Sequence, residues 1–372
     1  MLSEKFPMTE FKPINLKDIN KMIDSFCYIL RIRFFGIRSK YFNNIISMSK
    51  CLDIRRGKYD NGRIIQAQEI EIVITEVDLK LFLEFYDIKS YIIEECYFAS
   101  KNYLPEKFYN FILEKYEDKT KLKGVPDKKT EYALAKNKFN SLYGMTVTNT
   151  IRDEIDFENN EWINRPLDNI EILMKLQEEK RKGFLNFAWG VYVTAYARRN
   201  LLEILRKLDD FGVYCDTDSI KLKAGYNKEI INEYNINVRK KLENVSKILG
   251  IDFIKYEPED IKGKKHLIGL FEYEGNYSEF ITQGAKKYCY RDQEGLLQIT
   301  VSGVPKSGVK DLHDDITNFK DDLVFHFENT GKNIIQYNDC QTPFILEDDE
   351  RKCSRNKWKI WSCTTSNNIY FK

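Results

Sequence analysis

The octapeptide Val213-Tyr214-Cys215-Asp216-Thr217-Asp218-Ser219-Ile220 sets two carboxylates one residue apart between apolar flanks. Side chains at i and i+2 share a face of a strand. Asp216 and Asp218 would therefore crowd like charges at the tip of a strand-turn-strand, an arrangement that is unfavourable without a neutralising cation. Hard carboxylate oxygens suit magnesium or manganese, and magnesium usually draws substrate phosphates into its shell. Alone, the pattern equally describes a solvated turn, because the chain holds 57 acidic residues.

A second segment adds complementary chemistry. The run Lys136-Asn137-Lys138-Phe139-Asn140-Ser141-Leu142-Tyr143-Gly144 closes a helical pattern that begins after Pro126, and Gly144 stands where a helix C-terminus favours left-handed backbone. Lys136, Asn140 and Tyr143 fall at i, i+4 and i+7, so a cation, an amide and a phenol line one face. Such a face offers charge to a phosphate and a ring to a base. Read without the first segment, it is also an amphipathic helix with a wet lysine side.

Taken together, Lys-x-x-x-Asn-Ser-x-Tyr-Gly and, some 70 residues later, Tyr-x-Asp-Thr-Asp-Ser resemble the B and C motifs of family B DNA polymerases. The run Trp189-Gly190-Val191-Tyr192-Val193-Thr194-Ala195-Tyr196-Ala197-Arg198 resembles the protein-primed branch of bacteriophages and linear plasmids, and Lys286-Lys287-Tyr288 matches its Lys-x-Tyr element. The resemblance runs the length of the chain. It implies an α+β right hand with an antiparallel palm sheet, helical fingers and a small thumb. Its implied reaction is template-directed addition of deoxynucleotides to a primer in viral or plasmid replication. Asp216 and Asp218 would hold Mg2+ or Mn2+, with Asp218 bridging both ions. Lys136, Asn140, Tyr143 and Gly144 would form the nucleotide pocket, and Lys286 and Tyr288 would hold the primer strand. The implied partners are primer-template DNA and deoxynucleoside triphosphates, with a terminal priming protein and an upstream polymerase/exonuclease fragment as further candidates.

The family's A motif, Asp-x-x-Ser-Leu-Tyr-Pro, carries another metal-binding aspartate, and no such string occurs here. Met1 to Met8 resembles the stretch that follows it. The expectation is a split or truncated enzyme that is inactive until another chain supplies that carboxylate. Two rivals stand beside it: a non-catalytic DNA-binding remnant and a reverse transcriptase, whose turn usually carries adjacent aspartates.

The expected organisation is a palm segment at 1–29, an insertion resembling the first terminal-protein region at 30–100, fingers at 101–145, a hairpin and helix insertion at 146–183, palm at 184–303 and thumb at 304–372. Several elements follow from residue patterns. Glu69 to Ile74 alternates as a half-buried strand, Thr75 can cap the next helix, and Tyr91 to Phe98 reads as the return strand. Two helices joined by the basic Lys121–Lys129 connection make an antiparallel hairpin with lysines at its tip. A further hairpin turns at Asn159-Asn160 before a helix from Asp168 to Lys182 that Gly183 can end. A helix is expected from about Asn227 to Leu249. Strands are expected near Ile251–Ile254, Leu267–Tyr273, Gly284–Tyr290 and Leu296–Val301, and a helix near Val309–Phe319. Strands and helices without β-α-β regularity favour an antiparallel sheet with helices on one face.

Composition bounds the rest. With 59 basic and 57 acidic residues the net charge is +2, so a polyanion would be met by local patches. Candidate patches are Arg31, Arg33 and Arg38; Arg55, Arg56 and Lys58; Lys262, Lys264 and Lys265; and Arg351 to Lys359. Each is equally readable as a solvated face balanced by nearby acids. The eight cysteines form no Cys-x-x-Cys pair, which argues against structural zinc and, without a signal peptide, for a reducing, cytoplasmic setting, that of the host if the source is viral. No apolar run reaches membrane-spanning length.

Overall fold

The computed structural model describes residues 1–326 apart from 150, 159–160, 183–184 and 321, and beyond 326 it describes the backbone of five short strands. The chain divides into two compact units, Met1–Glu272 and Tyr273–Lys372.

The first unit is built on a seven-stranded antiparallel sheet. Its strands are β1 (Phe6–Pro7), β2 (Lys12–Pro13), β3 (Phe26–Ser39), β4 (Cys51–Arg55), β5 (Lys58–Asp60), β6 (Arg63–Thr75) and β7 (Tyr86–Asn102). The order is β1-β7-β3-β6-β4, with β2 also on β7 and β5 on β6. Alternation dictates which face is buried: Leu30, Ile32 and Phe34 of β3 and Ile70, Ile72 and Ile74 of β6 point into one core. Arg31, Arg33, Glu69 and Glu71 take the opposite face. There Arg33 pairs with Glu69, Glu71 and Glu94, Arg31 with Glu71 and Glu95, and Arg55 with Glu69. Of the two readings of these arginines, the structure supports the one in which acids balance them.

Thr75 caps α1 (Glu76–Phe85) by accepting a bond from the Asp78 N–H, as its position before the apolar run suggests. The helix α1 then packs on α5 (Phe187–Leu208), where the Arg198 guanidinium reaches both Asp78 carboxylate oxygens at 2.9 Å.

Between them lie α2 (Glu106–Leu122), α3 (Lys129–Thr146), the hairpin β8–β9 (Glu154–Glu158 with Glu161–Arg165) and α4 (Asn169–Lys182). The hairpin's expected Asn159-Asn160 turn and the Gly183 stop lie outside the described residues. After α5 come the hairpin β10–β11 (Gly212–Asp216 with Ser219–Leu222) and α6 (Lys228–Leu249). Asn227 caps α6 and Gly250, at φ 64°, ends it in left-handed backbone.

Three expected elements differ. Ile251–Ile254 is not a strand but leads into a 3-10 turn at Phe253–Tyr256. Leu267–Tyr273 is irregular, because its backbone bonds to that turn and not to a ladder: the Ile268 N–H donates to the Tyr256 carbonyl at 3.0 Å. Its Leu267, Ile268 and Leu270 pack into a second core with Tyr109, Tyr192 and Tyr256. Apolar runs of this length do not by themselves guarantee a partner strand.

The second unit carries the meander β12 (Glu279–Thr282), β13 (Lys287–Arg291) and β14 (Leu297–Val301). Cys289, Leu297 and Ile299 form its core with Leu312, Ile316, Phe319 and Phe325. The helix expected near Val309–Phe319 is instead two 3-10 segments, Lys306–Leu312 and Ile316–Asn318. His313 and Asp314, at φ 51° and 58°, break the helical path between them. The aromatic-rich stretch up to Phe371 and the Arg351–Lys359 cluster lie largely outside the described residues.

One close approach sets the pose of α3. The Asn186 N–H donates to the Thr146 carbonyl at 3.0 Å, and the start of α5 presses Gly190 against the end of α3. A Cβ at Gly190 would lie 2.0 Å from Val147 Cγ1 and 2.8 Å from Thr146 Oγ1. Gly190→Ala should therefore destabilise the fold by about 1–3 kcal/mol through overpacking. Thermal unfolding checks this, and Val147→Ala in the same chain should restore most of the loss. Equal melting of the single variant and the parent would show that the contact yields without strain.

Candidate active site

The α2 and α3 helices run antiparallel, joined by a turn in which Gly124 and Asp127 adopt φ 80° and 60°. Tyr109, Ile112 and Leu113 of α2 and Ala135 and Leu142 of α3 are buried. This inward set leaves Lys136, Asn140 and Tyr143 on the open side, all exposed, in the i, i+4, i+7 arrangement read from the sequence.

Gly144 is a correction. The helix continues to Thr146, and the first residue past it, Val147, donates its N–H to the Gly144 carbonyl at 3.1 Å. Gly144 is thus helical and not a left-handed stop. Its value is spatial, since a Cβ there would meet nothing within 4 Å. The backbone beside Tyr143 is bare and open to approach.

The aspartate pair lies on the β10–β11 hairpin, with a second correction. Asp216 ends β10 and pairs with Ser219, whereas Thr217 and Asp218 are the two turn residues. The pair sits at the tip of the expected strand-turn-strand, but Asp218 is itself a turn residue and does not follow Asp216 by alternation along one strand. The Asp218 N–H donates to the Asp216 carbonyl at 2.6 Å, and Thr217 Oγ1 donates to Asp216 Oδ1 at 2.9 Å. The turn places the β-branched Thr217 at φ 54°, a conformation such side chains avoid.

Lys119, which the sequence reading did not single out, packs its stem between α2 and α3. It sits one turn before the end of α2, with Nζ 5.2 Å from the Phe139 ring centroid and 6.0 Å from that of Tyr116. Burial, Lys136 and Lys123 together pull its ammonium below the ordinary lysine range, while Asp218 opposes them. Lys119 thus feels the charge of Lys136 and, more weakly, that of Asp218. The sequence signal was a lysine three residues after Tyr116, on the turn facing Phe139.

Lys286 and Tyr288 belong to the second unit. The sequence pattern put both on one strand, but β13 begins at Lys287, and Lys286 occupies the preceding turn at φ 56°. The Tyr288 ring stacks between Phe280 and Tyr290, at centroid distances of 5.5 and 6.2 Å.

As metal donors, Asp216 and Asp218 offer the hard oxygens that magnesium and manganese prefer. Among the described residues no group of three or more His, Cys, Asp or Glu is placed to hold an ion. The donor chemistry fits, and the donor number falls short of a complete two-ion site. Among the described residues no helix is long and apolar enough to cross a membrane.

Residues 1–237 match the family described as DNA polymerase type B, organellar and viral. The chain belongs to that family, as the order of its motifs indicated. It is 28% identical over 213 residues to the DNA polymerase of Bacillus phage B103, covering 55% of this chain and 33% of that protein. With the DNA polymerase of Bacillus phage phi29 it shares 27% identity over 187 residues, covering 49% and 30%. Among solved structures, the phi29 DNA polymerase complexed with primer-template DNA and incoming nucleotide aligns with a TM-score of 0.58 at 17% identity, over 90% of this chain and 53% of that one. The post-translocation complex of the same enzyme with primer-template DNA gives 0.59 at 15%, over 100% and 55%. The fold is therefore the polymerase right hand, α+β with antiparallel sheet and flanking helices. The chain spans a third or less of its sequence relatives' length and little over half of the solved chains.

The strained turn supplies a test. Thr217→Asn puts a residue tolerant of left-handed backbone at φ 54°, and should raise stability by about 1 kcal/mol. Denaturant unfolding measures it. A fall in stability would show that the Thr217 hydroxyl bond to Asp216 outweighs the strain.

Proposed function

We propose that this chain is the palm, fingers and thumb core of a protein-primed family B DNA polymerase, adding deoxynucleotides to a primer end on a DNA template. The observation that carries this reading is the pairing, in a chain whose residues 1–237 match the family, of the exposed Lys136, Asn140 and Tyr143 face of α3 with the Asp216 and Asp218 turn of the β10–β11 hairpin. In the proposal the α2–α3 hairpin is the fingers, residues 184–303 contribute the palm, and residues from 304 the thumb.

In this reading Lys136 and Lys119 meet the triphosphate. Their mutual repulsion in the empty site is offset by the anion, so part of the binding free energy comes from relieving like charges. Asn140 and Tyr143 continue the same face one and two turns further, toward sugar and base, and the bare backbone at Gly144 admits close approach. Asp216 and Asp218 would hold magnesium or manganese, which, when bound, stabilises the attacking and leaving oxygens of an in-line displacement at phosphorus. The hairpin supplies carboxylates on one side of such an ion pair. A further carboxylate, of the kind found in Asp-x-x-Ser-Leu-Tyr-Pro, would come from another polypeptide segment. Lys286 would contact primer phosphate and Tyr288 would present its stacked ring or hydroxyl to the primer end. Primer-template DNA, deoxynucleoside triphosphates and a priming protein are the proposed partners.

The test is primer extension by the chain with and without a polypeptide bearing the A motif. The 372-residue chain should bind primed DNA and extend it negligibly alone, and gain magnesium-dependent extension with the added segment. Asp218→Asn should abolish that gain while leaving association intact. Binding without extension under every combination would favour a DNA-binding remnant.

Two further outcomes probe the pocket. Lys136→Ala should lower incorporation roughly ten- to a hundredfold, as expected for losing a charged contact worth about 1.5–3 kcal/mol. Because the Lys119 ammonium is held below the ordinary range, it loses charge at lower pH than an exposed lysine does. The nucleotide KM should accordingly rise toward alkaline pH in the parent and rise less in Lys119→Arg, whose guanidinium stays charged. Superimposable pH profiles would remove Lys119 from the pocket.

A further inference from the structure

Two basic turns far apart in sequence meet in the first unit, and the proposed nucleotide pocket uses neither. One is the α2–α3 connection, with Lys121, Lys123, Lys128 and Lys129 exposed. The other is the loop from Pro258 to His266, with Lys262, Lys264 and Lys265 exposed around Gly263 at φ 74°. Ile261 of the second loop abuts Gly124 of the first, its Cδ1 lying 3.6 Å from where a Cβ on Gly124 would stand. The Tyr116 hydroxyl of α2 donates to the His266 carbonyl at 3.3 Å, fixing the base of the same contact.

The second loop is held in shape from within. The Asp260 carboxylate accepts the N–H groups of Lys262 and Lys264 at 2.8 and 3.0 Å, and contacts His266 Nε2 at 3.0 Å. The other ring nitrogen of His266 lies 2.9 Å from the Glu272 carboxylate. The lysines ride on a loop that is already ordered, so a ligand need not order the backbone to use them.

Positive charge on this surface is only partly balanced within the chain. Lys121 pairs with Glu117, Lys128 with Glu131 and Lys265 with Glu257. Among the described residues Lys123, Lys129, Lys262 and Lys264 have no carboxylate within ion-pair distance, Asp127 included. Lys123 is also within electrostatic reach of Lys119, so positive charge continues from these turns toward the pocket.

We propose that the two turns form one phosphate-backbone contact for a nucleic-acid strand, distinct from the triphosphate pocket. The lysines are exposed, flexible point charges spread over two turns. They lack the preorganised, enclosed donors that a compact triphosphate needs, and they suit an extended polyanion bound through counter-ion release. This rests on the polymerase reading only in taking nucleic acid as the partner.

The experiment measures binding of a labelled single-stranded oligonucleotide to the full chain across a salt series, without nucleotide or metal. Lys123→Ala, Lys262→Ala and Lys264→Ala combined should reduce the slope of log K against log salt by about 2, some 0.7 per lost single-strand phosphate contact. Inorganic triphosphate should bind as before, and thermal unfolding should be unchanged because all three side chains are exposed. A control removing Lys240 and Lys247, exposed on α6, should keep the parent slope. An unchanged slope in the triple variant, an equal fall in the control, or a selective loss of triphosphate binding would each overturn the proposal. A chain that shows the expected slopes yet never extends a primer even with the added A-motif segment would overturn the polymerase reading and leave this one standing.

Discussion

A buried carboxylate holds the first unit together. Glu76, the first residue of α1, is 6% exposed. Its carboxylate accepts the Tyr28 N–H from β3 at 2.9 Å and the Tyr192 hydroxyl from α5, and Lys101 of β7 approaches at 3.3 Å. A buried charge survives only when its partners are all present, so sheet, α1 and α5 must arrive in one arrangement. The same environment pushes the Tyr192 phenol far above its usual range, burial being the main cause and Glu76 the next. Because α5 leads directly into the aspartate hairpin and its first turn carries the Gly190 contact with α3, the poses of both candidate site segments descend from this one cluster.

Much of the framework was legible in the sequence because it depends on local signals. Alternation gave β6, Thr75 gave the start of α1, and the span from about Asn227 to Leu249 gave α6. The misread segments are those whose structure is decided by distant atoms. Leu267–Tyr273 is apolar enough for a strand, yet its backbone partner is the Tyr256 turn. Val309–Phe319 has helical spacing, but Gly308 must fit beside Phe325, where a Cβ would approach to 2.8 Å, and two left-handed residues interrupt the path.

The site shows the same division. Spacing alone put Lys136, Asn140 and Tyr143 on one face, since helical periodicity needs no tertiary knowledge. The strand-turn-strand around Asp216 and Asp218 was legible from its apolar flanks, but not that Asp218 lies in the turn itself, because Asp-x-Asp spacing fits a strand end as well. Lys119 was hidden for another reason. A lysine on an amphipathic helix reads as solvated, and only the packing of Tyr116 against Phe139, at 5.7 Å between centroids, draws its stem inward and lowers the dielectric around its charge.

The outer face of the large sheet carries a different lesson. Arg31, Arg33 and Arg55 each already lie against a carboxylate, and two of those carboxylates, Glu69 and Glu71, are nearly inaccessible to solvent. Such a surface carries its counter-ions as covalent parts of the chain. A polyanion approaching it would meet cations that are already neutralised, would keep its own condensed counter-ions, and would gain little of the entropy that drives protein–nucleic acid association. That part of the face is charged in composition and electrostatically quiet in effect.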